Sequence, residues 1–296
     1  MSLEVVTEIR AELGEGPSWD SRSRVLYWVD IAKGILHIHR PSARSDDTSI
    51  PVGGSVSSVV PRKAGGVVIT FPHGFFAVSL DGGKISPLSQ EVEPELKNNR
   101  FNDGKCDPVG RLWAGTMDIQ EKNATGSLYF LDPKDLKSHK VLSGITVSNG
   151  LGWSPDNKKM YYIDTPTMRV SVFDYSLDSG RLDNKRTAVD FSKEGQPGSP
   201  DGMAVDDEGM IWVAHWGGSR VTRWDPETGK LLHTLPVPAL QVTSCCFGGE
   251  NLDELYITTA REGVDQQTLA LQPLTGGLFM TKIYGVRGLP TYAFDG

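Results

Sequence analysis

The chain has 296 residues, of which 38% are hydrophobic and 23% are charged, so it can bury a core and is not expected to be disordered. Its net charge of −7, from 30 basic and 37 acidic residues without any basic run, argues against nucleic acid as a partner. The 33 glycines and 18 prolines favour many short strands joined by turns over long helices.

The N-terminal residues have neither the basic region nor the apolar run of a signal peptide, and no segment approaches the roughly 20 apolar residues that span a bilayer. The three cysteines, Cys106, Cys245 and Cys246, do not make a disulfide framework. We therefore expect a reduced, cytoplasmic protein with no membrane partner, and we expect Cys245 and Cys246 to be buried in an inner strand. The oligomeric state stays open.

A short strand is predicted over residues 3–9, and six copies of a repeat follow it. Four copies open on a carboxylate or amide residue followed by glycine, and then continue through a polar turn into a second strand rich in β-branched and aromatic residues. These four copies begin at Glu15-Gly16, Asp103-Gly104, Asn149-Gly150 and Asp201-Gly202. Two weaker copies open near Ser57 and Ser244.

The repeat starts are 42, 46, 46, 52 and 43 residues apart. A period of about 40–50 residues with three or four strands per unit is typical of a β-propeller blade. We predict an all-β fold, a six-bladed β-propeller formed by residues 1–296 as one domain, with the N-terminal strand closing the last blade and so removing an exposed edge. The alternative is a pair of β-sandwiches, whose units would not repeat.

The innermost strand of each blade lines the central channel of a propeller, so equivalent positions of successive blades meet around it. Glu15, Asp103, Asn149 and Asp201 are therefore expected to converge. A single Asp-Gly or Asn-Gly pair is as readily a tight turn, but four at equivalent places favour a site. Carboxylate and amide groups supply oxygen ligands, which suit Ca²⁺, Mg²⁺ or Mn²⁺, and Zn²⁺ stays possible in an open site.

Motifs that span the chain in order resemble those of the family of regucalcin, gluconolactonase and luciferin-regenerating enzyme. They occupy residues 14–19, 99–108, 113–117, 148–151, 161–164, 200–203 and 243–249. The last of them is similar to the regucalcin branch. The resemblance implies a six-bladed propeller that carries one divalent cation in its channel, held by Glu15, Asn149 and Asp201, with Asp201 also transferring a proton.

The same resemblance implies that Arg100 and Asn102 contact a sugar substrate. It also implies a further substrate-contacting glutamate shortly after the 113–117 motif. Simple counting leads to Gln120, a shift of one residue leads to Glu121, and Asp118 is the third candidate. We favour Glu121.

The expected function is hydrolysis of a sugar (aldono) lactone such as glucono-1,5-lactone. A lactone is a cyclic ester, so its opening needs a polarised carbonyl, an activated water and a proton for the ring oxygen. The cation would polarise the carbonyl, and Asp201 would act as general base and then general acid. The alternatives are a calcium-binding regulatory protein of the regucalcin type and a passive interaction propeller. Two carboxylates and one amide are few for tight calcium buffering.

Overall fold

The computed structural model describes residues 3–192 and 197–296, which form six four-stranded antiparallel sheets. The first three sheets are β2 (Gly14–Asp20), β3 (Val25–Asp30), β4 (Ile35–His39) and β5 (Thr48–Pro51); β6 (Ser58–Pro61), β7 (Val67–Phe71), β8 (Gly74–Val78) and β9 (Ile85–Pro87); and β10 (Asn99–Cys106), β11 (Leu112–Asp118), β12 (Gly126–Leu131) and β13 (Ser138–Ile145).

The other three sheets are β14 (Ser148–Trp153), β15 (Lys159–Asp164), β16 (Arg169–Tyr175) and β17 (Leu182–Asp190); β18 (Ser199–Val205), β19 (Ile211–Trp216), β20 (Arg220–Asp225) and β21 (Lys230–Pro236); and β22 (Gln241–Gly248), β23 (Glu254–Ala260), β24 (Phe279–Lys282) and β1 (Glu4–Val5). In the first two of these the strands again follow in chain order, and in the last sheet the N-terminal strand β1 takes the outermost place.

Helical structure is confined to short segments between strands. The α-helix α1 spans Gln266–Leu271, and single 3₁₀ turns span Arg44–Asp46 and Thr165–Thr167. Among the described residues no helix is long and apolar enough to cross a membrane.

The first strands of the six sheets form a closed ring. Each of β2, β6, β10, β14 and β18 contacts the first strand of the following sheet, and β22 contacts β2. This ring confirms the predicted six-bladed β-propeller. The predicted repeat starts lie within these first strands, or one residue before β6 for Ser57. The polar residues that open each repeat are therefore carried to the axis of the propeller.

The last blade combines both ends of the described chain. Strand β1 pairs antiparallel with β24, with Glu4 opposite Met280 and Val5 opposite Phe279. The strand expected over residues 3–9 is thus limited to two residues, although the Val6 N–H continues the contact by donating to the Leu278 carbonyl at 2.9 Å. This pairing covers what would otherwise be a free edge of β24.

Apolar clusters fill the spaces between neighbouring blades. Trp212 of the fifth blade and Phe247 of the sixth meet edge to face in one cluster, with ring centroids 5.7 Å apart. Cys245 and Cys246 of β22 are free thiols buried in two such clusters, as expected from the sequence. These inter-blade layers therefore hold many of the buried aromatic side chains.

A buried aspartate braces two of the blades. In the fifth blade Asp206 Oδ2 accepts hydrogen bonds from Trp212 Nε1 at 2.9 Å and from Arg223 Nε at 2.8 Å. In the third blade Asp107 Oδ2 accepts from Trp113 Nε1 at 2.8 Å. In both blades the aspartate lies in the turn after the first strand and the tryptophan lies six residues later in the second. The brace therefore ties the first hairpin of the blade together.

Replacing Asp206 with alanine should lower the free energy of unfolding by about 1–3 kcal/mol, because the substitution leaves the indole N–H of Trp212 without its buried acceptor, while Arg223 keeps its ion pair with Glu208. Urea unfolding measures the loss. Asp156→Ala, at the corresponding turn of the fourth blade but exposed, is the matched control and should cost less than about 1 kcal/mol. Equal losses in the two variants would contradict the proposed brace.

Candidate metal centre and substrate pocket

A cavity of about 470 Å³ lies within the ring of first strands. All six site residues predicted from the sequence line it: Glu15, Arg100, Asn102, Glu121, Asn149 and Asp201. Five of them come from the first strands of four blades, and Glu121 comes from the loop after β11. Residues up to 186 positions apart in the sequence, from Glu15 to Asp201, thus share one cavity.

Asp103 is the repeat-start residue that does not line this cavity. It lines a separate space of about 60 Å³, together with Lys105 and residues near the C-terminus. The negative charge of Asp103 nevertheless acts on the larger cavity, where it raises the pKa of both Glu15 and Asp201. The pairing register of β10 with β11 shifts between Phe101 and Gly104, and at this bulge the neighbours Asn102 and Asp103 face different spaces.

Four of the site residues, Glu15, Asn102, Asn149 and Asp201, lie at β-bulges. The pairing register of the first strand with the second shifts between Glu15 and Ser18, and an equivalent shift occurs in the blades of Arg100, Asn149 and Asp201. Bulges re-aim side chains next to active sites, and they interrupt the regular alternation of a strand. The polar side chains of these four blades are therefore turned toward the axis by the same local irregularity.

Sterics explain why glycine follows Glu15, Asn149 and Asp201. Gly16 has a φ of +54°, a conformation that favours glycine. Gly202 is packed so closely that a Cβ atom would lie 2.0 Å from Ser244 Oγ, and a Cβ atom on Gly150 would lie 2.8 Å from the Asp201 carbonyl oxygen. The first strands of neighbouring blades thus approach each other closely at the depth of the site.

Two carboxylates share this buried setting. Burial raises the pKa of Glu15, and the charge of Asp103 raises it further. Burial likewise raises the pKa of Asp201 well above its ordinary range, with the charges of Glu15 and Asp103 adding to the effect. The N–H of Gly16 donates to Glu15 Oε2 at 2.9 Å, which offsets a small part of this cost. Such a pair favours the presence of a cation or a shared proton.

Asn149 supplies an amide group to the cavity that the two carboxylates also line. Its Oδ1 accepts a hydrogen bond from Asn102 Nδ2 at 3.0 Å, and its Nδ2 donates to Thr165 Oγ1 at 2.8 Å. Asn102 Nδ2 also donates to the Ser148 carbonyl at 2.8 Å. The amide is therefore held in one orientation, with its oxygen on the side of Asn102.

The donor set fits one divalent cation. The described part of the chain contains no group of three or more His, Cys, Asp or Glu side chains placed to hold a metal, so a closed zinc-type cluster is absent from it. Glu15, Asp201 and Asn149 instead offer two carboxylates and one amide oxygen. Hard cations that prefer oxygen ligands, such as Ca²⁺, Mg²⁺ and Mn²⁺, suit these donors. Zn²⁺ suits them as well, because three protein ligands leave a coordination position for water or substrate.

Arg100 is the only basic residue that lines the cavity among the residues described. Its Nη1 donates to Asn102 Oδ1 at 2.6 Å and to the Phe101 carbonyl at 3.0 Å. Burial lowers the pKa of Arg100, while the charges of Glu15 and Glu121 raise it. Arg100 thus contributes a guanidinium group to the cavity wall.

The structure distinguishes the three candidates for the additional glutamate. Glu121 lines the cavity. Asp118 is turned into its own loop, where its carboxylate accepts from Gln120 N at 3.1 Å and from Asn123 Nδ2 at 2.8 Å. Glu121 is thus the one candidate of the three that lines the cavity.

The sequence did not indicate three polar wall residues, of which one is Ser199 of β18. Thr165 follows β15, and Glu262 follows β23; both line the cavity. The segment that carries Glu262 is anchored, because the N–H groups of Arg261 and Glu262 both donate to the Glu12 carbonyl at 2.9 Å. Neither residue lies at a repeat start, so the period that located the other residues carried no signal for them. The apolar wall consists of Leu13, Ile31, Ala32, Met117, Ile119, Val147 and Trp216.

Known proteins share this fold and the whole length of the chain. Residues 13–261 match the family described as SMP-30/gluconolactonase/LRE-like region. Regucalcin of Bos taurus is 42% identical over 302 residues, which cover 100% of this chain and 99% of that protein. A luciferin-regenerating enzyme structure is 36% identical, with a TM-score of 0.93 over 100% of this chain and 99% of the other. A calcium-binding regucalcin structure from Agrobacterium tumefaciens is 28% identical, with a TM-score of 0.93 over 100% and 98% of the two chains.

The fold and the cavity define a six-bladed propeller with a polar, oxygen-rich pocket at its axis. The chain belongs to the SMP-30/gluconolactonase/LRE-like family.

Gly202→Ala should lower the free energy of unfolding by about 1–3 kcal/mol, because the added methyl group would overlap Ser244 and separate β18 from β22. Thermal and urea unfolding measure the effect. Gly54→Ala is the matched control, since its Cβ would meet only Phe71 at 3.6 Å and its φ is not positive. Unchanged stability of Gly202→Ala would show that the close approach of the two strands is not needed.

Proposed function

We propose that this protein is a divalent-cation-dependent lactonase that opens neutral sugar lactones such as glucono-1,5-lactone. The observation that carries the proposal is the convergence of Glu15, Asn149 and Asp201 with Arg100 and Asn102 on one cavity. The cavity volume of about 470 Å³ exceeds what a cation alone requires and lies in the usual range for small-molecule sites. Membership of a family whose description includes gluconolactonase supports it.

Each chemical need of lactone opening has a group in the cavity. A bound divalent cation would offset the repulsion between the carboxylates and polarise the lactone carbonyl oxygen. Asp201 accepts a proton from the attacking water as the water oxygen bonds to the carbonyl carbon. Asp201 then returns that proton to the ring oxygen as the ring C–O bond breaks, which gives the open hydroxy acid. Arg100 donates hydrogen bonds that orient the sugar.

A calcium-binding regulatory role is the second candidate, because the regucalcin relative from Agrobacterium tumefaciens is described as a calcium-binding protein. The same three oxygen ligands would serve it. Two carboxylates and one amide are few for tight calcium binding, and such a role makes no use of the wall formed by Arg100, Glu121 and the apolar residues. The enzymatic role accounts for more of the cavity.

Removal of Asp201 or Arg100 should separate cation binding from turnover. Asp201→Ala is expected to lose lactone hydrolysis and to weaken cation binding, because it removes both a ligand and the proton carrier. Arg100→Ala should keep the cation but lower turnover by about 10²-fold or more, since it removes only positioning donors. Acid release from glucono-1,5-lactone in a pH-stat, with EDTA and with added Ca²⁺, Mn²⁺ or Zn²⁺, measures activity.

Calorimetry with Mn²⁺ measures cation binding in the same preparations. Lactonase activity retained by Asp201→Ala would overturn the proposed mechanism. Absence of turnover with every sugar lactone under saturating cation would favour the regulatory role instead.

The charge of the cavity bears on the choice of lactone. Four carboxylates line it, those of Glu15, Asp201, Glu121 and Glu262, against the single guanidinium of Arg100. When all five groups are ionised, the net charge of the cavity wall is therefore −3. A bound divalent cation would change it to −1. A phosphorylated or carboxylated lactone would meet this excess charge, whereas the hydroxyl groups of a neutral lactone can donate to carboxylates.

Glu262→Gln should raise kcat/KM for an anionic lactone relative to a neutral one by about threefold to tenfold, because it removes one repulsive charge without shortening the side chain. The measurement compares 6-phosphogluconolactone with glucono-1,5-lactone in wild type and variant. Glu91→Gln, which is exposed and outside the cavity, is the matched control and should leave the ratio unchanged. An unchanged ratio in Glu262→Gln would remove this residue from substrate selection.

A further inference from the structure

Thr165 occupies a fixed place beside the candidate cation ligands. It is the first residue of the 3₁₀ turn Thr165–Thr167, directly after β15, and it lines the cavity. Its backbone N–H donates to the Val147 carbonyl at 3.1 Å, so its main chain is tied to the segment that leads into β14. Its side chain is half-buried between that strand and β18.

The hydroxyl group of Thr165 has its one proton committed. Thr165 Oγ1 donates to the carbonyl of Pro200 at 2.8 Å. In its second contact, at 2.8 Å from Asn149 Nδ2, the hydroxyl can therefore only accept. The threonine thus dictates that the nitrogen of the Asn149 amide, and not its oxygen, faces it.

The other side of the same amide carries a matching constraint. Asn102 Oδ1 accepts from Arg100 Nη1 at 2.6 Å, so its Nδ2 must be the group that faces Asn149, and it donates to Asn149 Oδ1 at 3.0 Å. A rotated Asn149 amide would place two donors together on the side of Asn102 and two acceptors together on the side of Thr165. The hydrogen bonds run in one direction, from Arg100 through both asparagines to Thr165 and the Pro200 carbonyl.

This direction matters because only the oxygen of a neutral amide can ligate a cation. We propose that Thr165 is a positioning residue for cation binding: its hydroxyl holds the Asn149 amide nitrogen and so keeps Asn149 Oδ1 presented with the carboxylates of Glu15 and Asp201. The inference rests on the proposed cation site. Thr165 also joins that ligand to Pro200, the residue before Asp201, so one hydroxyl links two of the three candidate ligands across neighbouring blades.

The test is the affinity of the full chain for Mn²⁺, measured by isothermal titration calorimetry independently of any turnover. Thr165→Val keeps the shape of the side chain but removes its acceptor, and should weaken Mn²⁺ binding by about 10- to 100-fold, as the loss of a hydrogen bond to a metal ligand does. Thr165→Ser restores the hydroxyl and should return the affinity to within about threefold of wild type. A purely structural role of the threonine would not produce this rescue.

Thr167→Val is the matched control. Thr167 lies in the same 3₁₀ turn, is exposed, and donates its hydroxyl to the Asp164 carbonyl at 2.6 Å without contacting Asn149. This variant should bind Mn²⁺ like wild type, and cation-free thermal unfolding of both valine variants verifies that they are folded. Should Thr165→Val fail to fold, Thr165→Ala replaces it with the same expected loss of affinity.

Asn149→Ala distinguishes the positioning role of Thr165 from the cation site itself. If Asn149→Ala weakens Mn²⁺ binding but Thr165→Val leaves it unchanged, the positioning role alone is overturned. Failure of wild type to bind Mn²⁺, or full binding by Asn149→Ala, would overturn the proposed cation site and this inference with it.

Discussion

Burial of two like-charged carboxylates at the centre of a ring of strands is the interaction on which the rest of the structure depends. Glu15 and Asp201 are both removed from water, which raises the pKa of each, and the charge of Glu15 raises that of Asp201 further. A folded chain tolerates such a pair only where compensating groups are fixed in place. The backbone N–H groups of Gly16 and Gly202 supply a first, small compensation. A divalent cation would supply the larger one.

In the propeller, the contacts that stabilise the blades lie away from the axis, and the polar groups of the site lie near it. Aromatic and aliphatic layers between blades, and the aspartate–tryptophan braces at Asp107 and Asp206, stabilise the blades away from the axis. At the axis the first strands approach so closely that Gly202 has no room for a methyl group. Bulges in these strands then turn polar side chains inward. Stability and chemistry are thus carried by different parts of each blade.

The cavity wall contains two chemically distinct sets of residues. One set forms the directed chain of hydrogen bonds from Arg100 through Asn102 and Asn149 to Thr165. The other is apolar, with Trp216 among its residues. The cavity therefore offers both hydrogen-bonding groups and apolar contacts to a bound molecule. Glu121 and Glu262 add two further carboxyl groups to the wall.

Much of the fold followed from the sequence alone, because each blade is the same structural unit and so leaves the same period of turns, strands and Glu-, Asn- or Asp-Gly pairs. That period placed Glu15, Asp103, Asn149 and Asp201 on inner strands, and the family resemblance selected Glu15, Asn149 and Asp201 as cation ligands. The assignment of Arg100, Asn102 and Glu121 came from family resemblance, and the structure puts all three on the cavity wall.

Other features were decided only by tertiary structure. Bulges determine which of two adjacent residues faces a cavity, so Asn102 lines the pocket while Asp103 lines another space. Thr165 and Glu262 reach the pocket from segments between strands, whose positions depend on how the blades pack and not on any local pattern. The period of a sequence reports what repeats. A site built where different blades meet also uses residues that occur once, and these become neighbours only when the ring closes.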